Sequence, residues 1–444
     1  MKRRLLSLIL ASTMVLSLGA CTSKKQGEDK KNSQESIAVK IDSPVKIEFW
    51  HSMKGESGEA LEKITKDFEN DNPNIKVNLV NQGGYRDLFD KLMGAAKSKT
   101  LPTMTQIYCN RLSWYIEKEL VEDMTPYIDN KEVGLNKESV EDIPKVFLED
   151  GAWGDKQYAF PFNKSEMVLY YNEDMLKAKG VEVPKTWDEL KEASKKLTED
   201  KNKDGKPETY GLVFENNIST DIGIWVKQAG EEVISEKEDK INFNTKETKE
   251  TVEFINSMIQ DGSARLAGED KNANIPFGQE RAAMCIASTS AIPYIKSSGI
   301  KSKWFSAPLP VYKEDVQLYY GTNVAVFNGG TKEEKLAAWL YIKYLTSTEN
   351  TAYFSEKTGY MPVRKSSWEL DSYKKFLKEN PVKEVPLKTI DKGYTGARTI
   401  GSIPALDELG KELNQVFANK KSVDEALKTA QEKGEKAMKE ARNN

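Results

Sequence analysis

The sequence predicts an α/β protein with mostly parallel sheets, divided into two or three lobes. From residue 45 onward, short apolar runs alternate with stretches whose apolar residues recur at helical spacing, the pattern of strands joined by crossover helices. The chain has 444 residues, too many for one hydrophobic core of ordinary size. No segment repeats with a period of about 20 to 50 residues, which argues against a solenoid.

The first strand–helix–strand unit lies at residues 46–80. An apolar run at 47–50 ends in the loop His51-Ser52-Met53-Lys54-Gly55, and Leu61, Ile64 and Phe68 then recur at helical spacing. A polar turn around Pro73 precedes a second strand, in which apolar and polar residues alternate. Such a unit builds a parallel sheet.

The same alternation continues to the end of the chain. Thr186 is a helix N-cap, because the acidic Glu189 follows three residues later. The other expected elements are a helix at 85–96, a strand at 104–108, a helix at 114–121, a strand at 157–162 marked at its end by Pro161, a strand running into a helix at 166–180, and two long solvated helices at 405–441.

The N-terminus has the pattern of an export signal. Lys2-Arg3-Arg4 precedes an apolar stretch, Leu5 to Leu18, which is too short for an ordinary membrane span. The stretch ends in Leu18-Gly19-Ala20-Cys21, which resembles the lipobox of bacterial lipoproteins and implies cleavage before Cys21 and lipid on that residue. A plain secretory signal with an incidental cysteine is the alternative. We therefore expect a signal peptide at 1–20, and lipidated Cys21 with a polar, flexible tether at 21–44.

Composition and cysteine content limit the function classes. Hydrophobic residues make up 38% and charged residues 30% of the chain, typical of a soluble globular protein. The formal net charge of −3 excludes the basic footprint of a nucleic-acid-binding protein. With Cys21 lipidated, Cys109 and Cys285 remain, and both lie in apolar runs. We expect buried thiols, although a disulfide between them stays open.

The sequence offers no motif for catalysis. His51 is the only histidine, which excludes a histidine-rich metal site, and there is no G-x-S-x-G, P-loop or G-x-G-x-x-G pattern. A glycosidase needs only two carboxylates, so a secreted glycan-active enzyme remains a remote alternative. The segment Asp200–Gly205 has the opening of a calcium loop, but Gly211 stands where a bidentate glutamate is needed, which favours a solvated turn. We expect no catalytic residue, metal or cofactor.

Seven segments, in order along nearly the whole mature chain, resemble the extracellular solute-binding proteins of ABC importers. The resemblance is strongest to members that bind carbohydrate or glycerol 3-phosphate. The segments are FWHSMKGESGEALEKITKDFENDNP, GGYRDLFDKLMGA, PFNKSEMVLYYNEDML, PKTWDEL, AAMCIASTS, LTSTENTAYFSEKTGYMPV and KKSVDEALKTAQEKGEKAMKE.

The resemblance implies a two-lobed periplasmic-binding-protein-like fold, with one ligand in the cleft between lobes joined by crossing strands. The expected crossings lie near residues 158–162, 284–288 and 326–330. Lobe one is then expected at 45–157 and 288–328, and lobe two at 158–287 and 329–444.

The loop after the first strand is expected to face that cleft, because ligands in such sheets lie beyond the carboxyl ends of strands. Trp50, His51 and Ser52 would then supply a wall and hydrogen-bonding groups. The alternative is that Trp50 only closes the core.

Five further residues match ligand-contacting positions of the glycerol-phosphate receptors. They are Tyr85, Ser165, Ser288, Gly321 and Tyr360. Tyr85 opens a helix, where free N–H groups attract anions, and Gly321 allows close backbone approach. Each could instead be a turn or cap residue.

Two positions depart from those receptors. Cys109 stands where they carry an acidic residue, and Asp407 stands where they carry a phosphate-binding arginine. A carboxylate repels a phosphate dianion, and Arg398 more closely matches a different family position. A neutral saccharide or polyol therefore fits better than a phosphate ester.

Indole rings are candidate platforms on which a sugar ring can stack. We predict this role for Trp225, and Trp114, Trp153 and Trp304 are the other candidates. Core packing is the alternative for each. Together the resemblance implies a monomeric lipoprotein on the extracytoplasmic face of the cell membrane that captures a carbohydrate or polyol and delivers it to the transmembrane subunits of an ABC permease. The alternative ligand is sn-glycerol 3-phosphate or a glycerophosphodiester.

Overall fold

The computed structural model describes residues 37–216 and 218–443. The predicted signal peptide at 1–20, Cys21 and the tether up to residue 36 lie outside the described residues. None of the described helices is long and apolar enough to span a membrane.

Fourteen strands make up the described β-structure. They are β1 (Val45–His51), β2 (Ile75–Asn81), β3 (Met104–Ile107), β4 (Ala152–Trp153), β5 (Lys156–Gln157), β6 (Phe160–Asn172), β7 (Tyr210–Phe214), β8 (Ile234–Ser235), β9 (Lys240–Ile241), β10 (Ala264–Leu266), β11 (Ala282–Ser288), β12 (Trp304–Ala307), β13 (Gln317–Val326) and β14 (Gly393–Tyr394).

The α-helices cover both sides of this β-structure. They are α1 (Glu56–Asp71), α2 (Tyr85–Ser98), α3 (Cys109–Glu117), α4 (Thr125–Ile128), α5 (Lys137–Glu141), α6 (Lys145–Asp150), α7 (Glu173–Ala178), α8 (Trp187–Leu197), α9 (Ile218–Gln228), α10 (Lys246–Gln260), α11 (Asn274–Gly278), α12 (Ile292–Ser297), α13 (Lys332–Leu345), α14 (Thr348–Lys357), α15 (Lys365–Glu369), α16 (Asp371–Glu379), α17 (Val385–Thr389), α18 (Ser402–Phe417) and α19 (Val423–Arg442). Short 3-10 turns lie at Gly268–Asp270, Thr289–Ala291, Pro381–Lys383 and Ile390–Lys392.

The main sheet is parallel at its two ends and antiparallel in its middle. Its strand order is β10-β7-β11-β6-β13-β3-β1-β2, with β12 added to β6 and β14 to β13. β1 runs parallel to β2 and β3, and β7 runs parallel to β10 and β11. In the centre, β6 is antiparallel to both β13 and β11. The expectation of mostly parallel sheets thus applies to the ends only, because the central strands run back and forth between the two halves.

The two central strands join the halves. β6 pairs with β13 through Phe160–Glu166 and with β11 through Met167–Tyr171. The sequence predicts two separate strands here, with an end at Pro161, but β6 is continuous. The β13 register shifts between Thr322 and Asn323, next to Pro161, and such an irregularity tolerates a residue without an N–H donor.

The first half packs around β1–β3 and the start of β6. Its largest core cluster combines Phe49 and Phe68 with Phe160, and also with Trp339 of α13 and Phe354 of α14. The indole of Trp339 donates a hydrogen bond of 2.9 Å to the backbone oxygen of Val133. We name this half the first lobe.

The second half packs around β7, β11 and the end of β6. Its core contains Trp187 of α8 and Trp225 of α9, with ring centroids 5.4 Å apart, and the apolar faces of α18 and α19. The tail helices predicted as solvated therefore each bury one face, which includes Leu413 and Leu427. We name this half the second lobe.

Packing divides the chain differently from the expected lobe boundaries. α13 and α14 follow residue 328, yet they pack on β1 and α1 of the first lobe. α12 and β12 were expected in lobe one, yet Ile292 packs with Cys285 of β11, and β12 pairs with the end of β6. The chain thus crosses at β6, at β13 and along residues 381–400, and not at 284–288. Chain order is a poor guide here because two of the crossings lie inside the long strands β6 and β13.

A buried ion pair lies on the face of β6 opposite Ser165. The Lys164 ammonium is 2.6 Å from the Asp150 carboxylate, and the Asn323 amide donates to the same oxygen at 2.7 Å. Burial acts to raise the pKa of Asp150, but the Lys164 charge and these hydrogen bonds hold it below its usual value. The pair ties the crossing strands to the end of α6.

Three local expectations, on the Thr186 cap, the start of α3 and the two cysteines, can be compared with the structure. The Thr186 hydroxyl accepts from the Glu189 backbone N–H at 3.2 Å, as the capping pattern predicts. α3 begins at Cys109 and not at Trp114, because Cys109 and Leu112 are buried in the first lobe. Both Cys109 and Cys285 are free and buried, so the disulfide left open is absent from the described chain.

Candidate functional site: a tyrosine-lined cleft

A cavity of about 430 Å³ lies where both lobes meet the crossing strands. We name it the inner cavity. Its lining combines phenols, hydroxyls, one amide and two carboxyl groups. The lining residues are Tyr85, Tyr108, Asn110, Ser165, Met167, Glu215, Asp221, Ser288, Ser290, Tyr320, Gly321 and Tyr360.

The crossing strands form the back wall of the inner cavity. Ser165 of β6 pairs with Tyr320 of β13, and Lys164 pairs with Gly321. Gly321 has φ +125°, and a Cβ atom there would lie 2.2 Å from the backbone oxygen of Asn163. Only glycine allows the two strands to approach this closely beside the cavity.

The first lobe contributes a hydrogen-bonded group of tyrosines. Tyr85 begins α2 after two glycines, and its hydroxyl lies 3.3 Å from that of Tyr360. The Asn163 amide donates to the Tyr85 hydroxyl at 2.9 Å, and the Tyr108 ring centroid is 5.2 Å from that of Tyr85. Burial raises the pKa of Tyr85 and Tyr360, so both phenols stay neutral and able to donate.

Trp50 and His51 at the end of β1, and Ser52 directly after it, do not line the inner cavity. The Trp50 indole donates to Glu48 at 2.6 Å, and the buried His51 ring accepts from the Met53 N–H at 3.2 Å. Burial lowers the pKa of His51 to about 4, which keeps the ring neutral. Because β1 continues through His51, Trp50 and His51 are strand residues, and their side chains pack within the first lobe.

Ser52 nevertheless connects to the site through two side chains. Its backbone N–H donates to the Gln106 carbonyl at 2.8 Å, and the Gln106 amide donates to the Asn163 carbonyl at 2.9 Å. Asn163 in turn holds Tyr85. The loop therefore supports the first-lobe tyrosines from behind.

Cys109, Trp225 and Asp407 also lie outside the lining. The Cys109 thiol is buried and accepts from the Asn323 amide at 2.7 Å, on the side of the Lys164–Asp150 pair. Trp225 is 1% exposed in the second-lobe core, so its indole has no free face for a sugar ring. Asp407 is exposed on α18.

The second lobe contributes two carboxyl groups and two serines. The Tyr320 hydroxyl donates to the Asp221 carboxylate at 3.2 Å, and the Ser290 hydroxyl lies 3.0 Å from that of Ser288. Burial raises the pKa of Asp221 and of Glu215 to about 7, and the Glu215 charge adds to the effect on Asp221. Near neutral pH these carboxyls can donate as well as accept.

No lysine, arginine or histidine belongs to the lining of the inner cavity within the described chain. Arg398 is committed elsewhere: its guanidinium donates to the Ala152 backbone oxygen at 2.7 Å and lies 3.0 Å from the Glu236 carboxylate. It thereby ties the segment after α6 to the β8–β9 hairpin. Burial lowers the pKa of Arg111, although Asp407 and Asp90 favour its charged form.

Sequence reasoning missed Tyr108, Asn110, Met167, Glu215, Asp221, Ser290 and Tyr320. Two signals were available. Tyr108 and Asn110 directly follow β3, and Glu215 directly follows β7, so the rule that ligands lie beyond strand ends selects them. Asp221, inside an amphipathic helix, had no such signal.

The loop with the calcium-like opening forms its own turn. Its Gly205 N–H donates to Asp200 at 2.9 Å, and the Asp204 N–H donates to Asn202 at 2.9 Å. In the part of the chain that the structure describes, no group of three or more histidine, cysteine, aspartate or glutamate side chains is arranged to hold a metal ion.

Comparison with known proteins places the chain in a family. The profile of the bacterial extracellular solute-binding proteins matches residues 63–382. The chain belongs to this family. The sn-glycerol-3-phosphate-binding periplasmic protein UgpB of Escherichia coli K12 is 25% identical over 411 residues, which cover 88% of this chain and 92% of that protein.

Solved structures confirm the predicted two-lobed solute-binding fold. UgpB from Mycobacterium tuberculosis, in complex with glycerophosphocholine, has a TM-score of 0.77 at 21% identity and covers 90% of this chain and 99% of its own. The substrate-binding protein Lmo0181 from Listeria monocytogenes, in complex with cycloalternan, has a TM-score of 0.77 at 20% identity and covers 89% of this chain and all of its own. At these identities the likeness concerns the fold. The extracellular solute-binding role follows from the family.

Proposed function

We propose that this protein is the solute receptor of an ABC importer, which captures a neutral, hydroxyl-rich solute in the inner cavity and delivers it to the transmembrane subunits. The observation that carries the proposal is that both lobes and both crossing strands contribute side chains to one cavity. A solute bound there contacts both lobes at once. It therefore favours the closed arrangement over an open one, and the closed form is what a permease recognises.

The chemistry of the lining favours a saccharide or polyol. Four phenols, three serine hydroxyls and the Asn110 amide can exchange hydrogen bonds with solute hydroxyls, and the tyrosine rings offer faces to apolar C–H groups. No lysine, arginine or histidine in the described part of this lining offers a counter-charge to a phosphate dianion, and Asp221 and Glu215 repel such an anion whenever they are ionised. We propose that the solute is bound by the four tyrosines, the three serines, Asn110, Asp221, Glu215 and Gly321 of this lining. The set includes Ser165, Ser288 and Tyr360.

A glycerophosphodiester or sn-glycerol 3-phosphate is the second candidate. The relatives named above support it, since one carries glycerol 3-phosphate in its name and one was solved with glycerophosphocholine. We propose no catalytic role. The two carboxyl groups of the lining, Asp221 and Glu215, are a feature that glycosidases also have, but a pair of carboxyl groups does not by itself make a glycosidase. We also propose that the receptor acts as a monomer without cofactor or metal.

Full-length protein extracted in detergent can be tested by thermal shift against neutral mono- and oligosaccharides, glycerol, glycerol 3-phosphate and glycerophosphocholine. We expect a neutral saccharide to stabilise it, by about 2.7 kcal/mol at a concentration one hundred times Kd. Asn110→Ala should weaken that binding about tenfold without loss of stability, because the buried Asn110 oxygen has no partner in the described structure.

The matched control is Asn414→Ala, on the exposed face of α18. Stabilisation by a phosphate ester and by no neutral compound would show that the proposed ligand class is wrong. Release of reducing sugar from the panel would contradict the non-catalytic role.

We further propose that Cys21 carries lipid and holds the receptor on the extracytoplasmic face of the cell membrane. Support comes from the sequence Leu18-Gly19-Ala20-Cys21 and from the extracellular nature of the family. Wild-type protein should fractionate with membranes, and Cys21→Ser should appear in the soluble fraction, whereas Cys285→Ser should not change the distribution. Equal distribution of wild type and Cys21→Ser would exclude the anchor.

A further inference from the structure

The cleft continues outward beyond the inner cavity. A second cavity of about 590 Å³ adjoins it and shares three lining residues with it, Glu215, Ser288 and Ser290. We name the second space the outer groove. Each of the two volumes lies within the range of about 300 to 1,000 Å³ in which proteins bind small molecules.

The outer groove has the chemistry of a sugar subsite. Its lining includes the amides of Asn272 and Asn274, the ring of Tyr294, and Gln279, whose side-chain oxygen already accepts from the Arg281 guanidinium at 3.0 Å. Tyr294 lies on α12 and is 67% exposed, unusually high for a large aromatic side chain. Amides that both donate and accept, beside an open aromatic face, match a ring that carries hydroxyls around an apolar C–H face.

Chain connectivity places α12 beside the wall that the two cavities share, because α12 directly follows the 3-10 turn Thr289–Ala291, which contains Ser290. Tyr294 is close enough to Tyr360 to contribute to the raised pKa of that phenol, after burial. On the same helix, burial lowers the pKa of Lys296, and the negative charge of Glu56, at the start of α1 in the first lobe, partly opposes this effect. Tyr294 therefore lines the outer groove with its ring largely open to solvent, close in the chain to Ser288 and Ser290, which both cavities share.

We propose that the natural solute is an extended polyhydroxylated molecule of at least two sugar-sized units. One unit occupies the inner cavity among the tyrosines, and the junction hydroxyls bond to Glu215, Ser288 and Ser290. The second unit lies in the outer groove, stacked on Tyr294 and bonded to the amides. This inference rests on the proposed function and adds the length of the solute and the second subsite.

The test measures Kd by calorimetry for mono-, di- and trisaccharides of several linkages, with full-length wild type, Tyr294→Ala and Tyr312→Ala. Tyr312 is the matched control, an exposed tyrosine 39% accessible in the second lobe that belongs to neither cavity. The tightest saccharide should be a disaccharide or longer and should bind at least about tenfold more tightly than its monosaccharide unit. Tyr294→Ala should remove most of that gain and leave monosaccharide binding within about twofold.

A second variant, Asn274→Ala, gives an independent readout and should also reduce the gain. Equal affinity for a monosaccharide and its oligomers, or an unchanged oligomer affinity in both variants, would overturn the extended-solute inference while the proposed function stands. Binding of no saccharide at millimolar concentration would overturn both.

Discussion

Gly321→Ala should destabilise the protein by about 3 to 5 kcal/mol and abolish solute binding. The new Cβ atom would lie 2.2 Å from the Asn163 oxygen and 2.8 Å from the Lys164 Cα atom, both of them backbone atoms of the paired strand. The backbone φ of +125° adds strain for a residue with a side chain. Each effect typically costs about 1 to 3 kcal/mol. The strands can relieve the clash only by separating beside Ser165, at the back wall of the inner cavity.

Gly180→Ala is the matched control for this prediction. Gly180 also has positive φ, +60°, but a Cβ atom there would meet nothing within 4 Å. It should therefore cost only about 1 to 2 kcal/mol for the left-handed conformation and leave binding intact. Urea unfolding and calorimetry with a bound saccharide measure both effects. Equal destabilisation by the two variants would show that close approach at Gly321 is not required.

Asp221→Asn should change how stability depends on pH. Burial raises the folded-state pKa of Asp221 from 3.8 to about 7, so between these values the folded chain holds a proton that the unfolded chain has released. The unfolded state binds fewer protons there, and the free energy of unfolding therefore falls as pH rises through this window. For wild type, this group alone should remove roughly 2 to 3 kcal/mol between pH 5 and pH 8.

The variant lacks this titration, so its stability relative to wild type should rise by that amount over the same interval. The groups that face Asp221 are Glu215, which titrates in the same window, and Tyr320, whose hydroxyl donates to it. His51 acts with the opposite sign, since its lowered pKa makes stability rise with pH, but it is common to both proteins. Urea unfolding at pH 5, 6.5 and 8 measures the difference, with the exposed Asp155→Asn as the surface-charge control. A constant separation between the wild-type and Asp221→Asn profiles would contradict the prediction.

Part of the site could be anticipated from the sequence. Tyr85, Ser165, Ser288, Gly321 and Tyr360 were selected by resemblance, and all of them line the inner cavity. The binding role of these residues stays a prediction. Tyr85 and Ser288 lie at element boundaries, where the sequence pattern is readable, whereas Ser165 and Gly321 lie inside long strands and were selected by the resemblance alone.

The loop after β1 shows where such reading fails. Trp50 and His51 were expected in a cleft-facing loop, but β1 continues through His51, and with Ser52 both residues lie outside the lining of the inner cavity. Trp225 has the right chemistry for stacking, but its indole is buried against Trp187. Residue type and position in an element do not reveal whether the face of a side chain is already covered by a neighbour from a distant part of the chain.

By itself, the sequence determined the alternation of strands and helices and the capping of α8 by Thr186. Each of these depends on residues within a few turns or strands of one another. Only the tertiary structure decided that α13 and α14 join the first lobe, that Glu215 and Asp221 face the tyrosines, and that the cleft extends to Tyr294. These features depend on strand pairing between distant segments, such as Lys164 with Gly321, and the local pattern of neither segment specifies its partner.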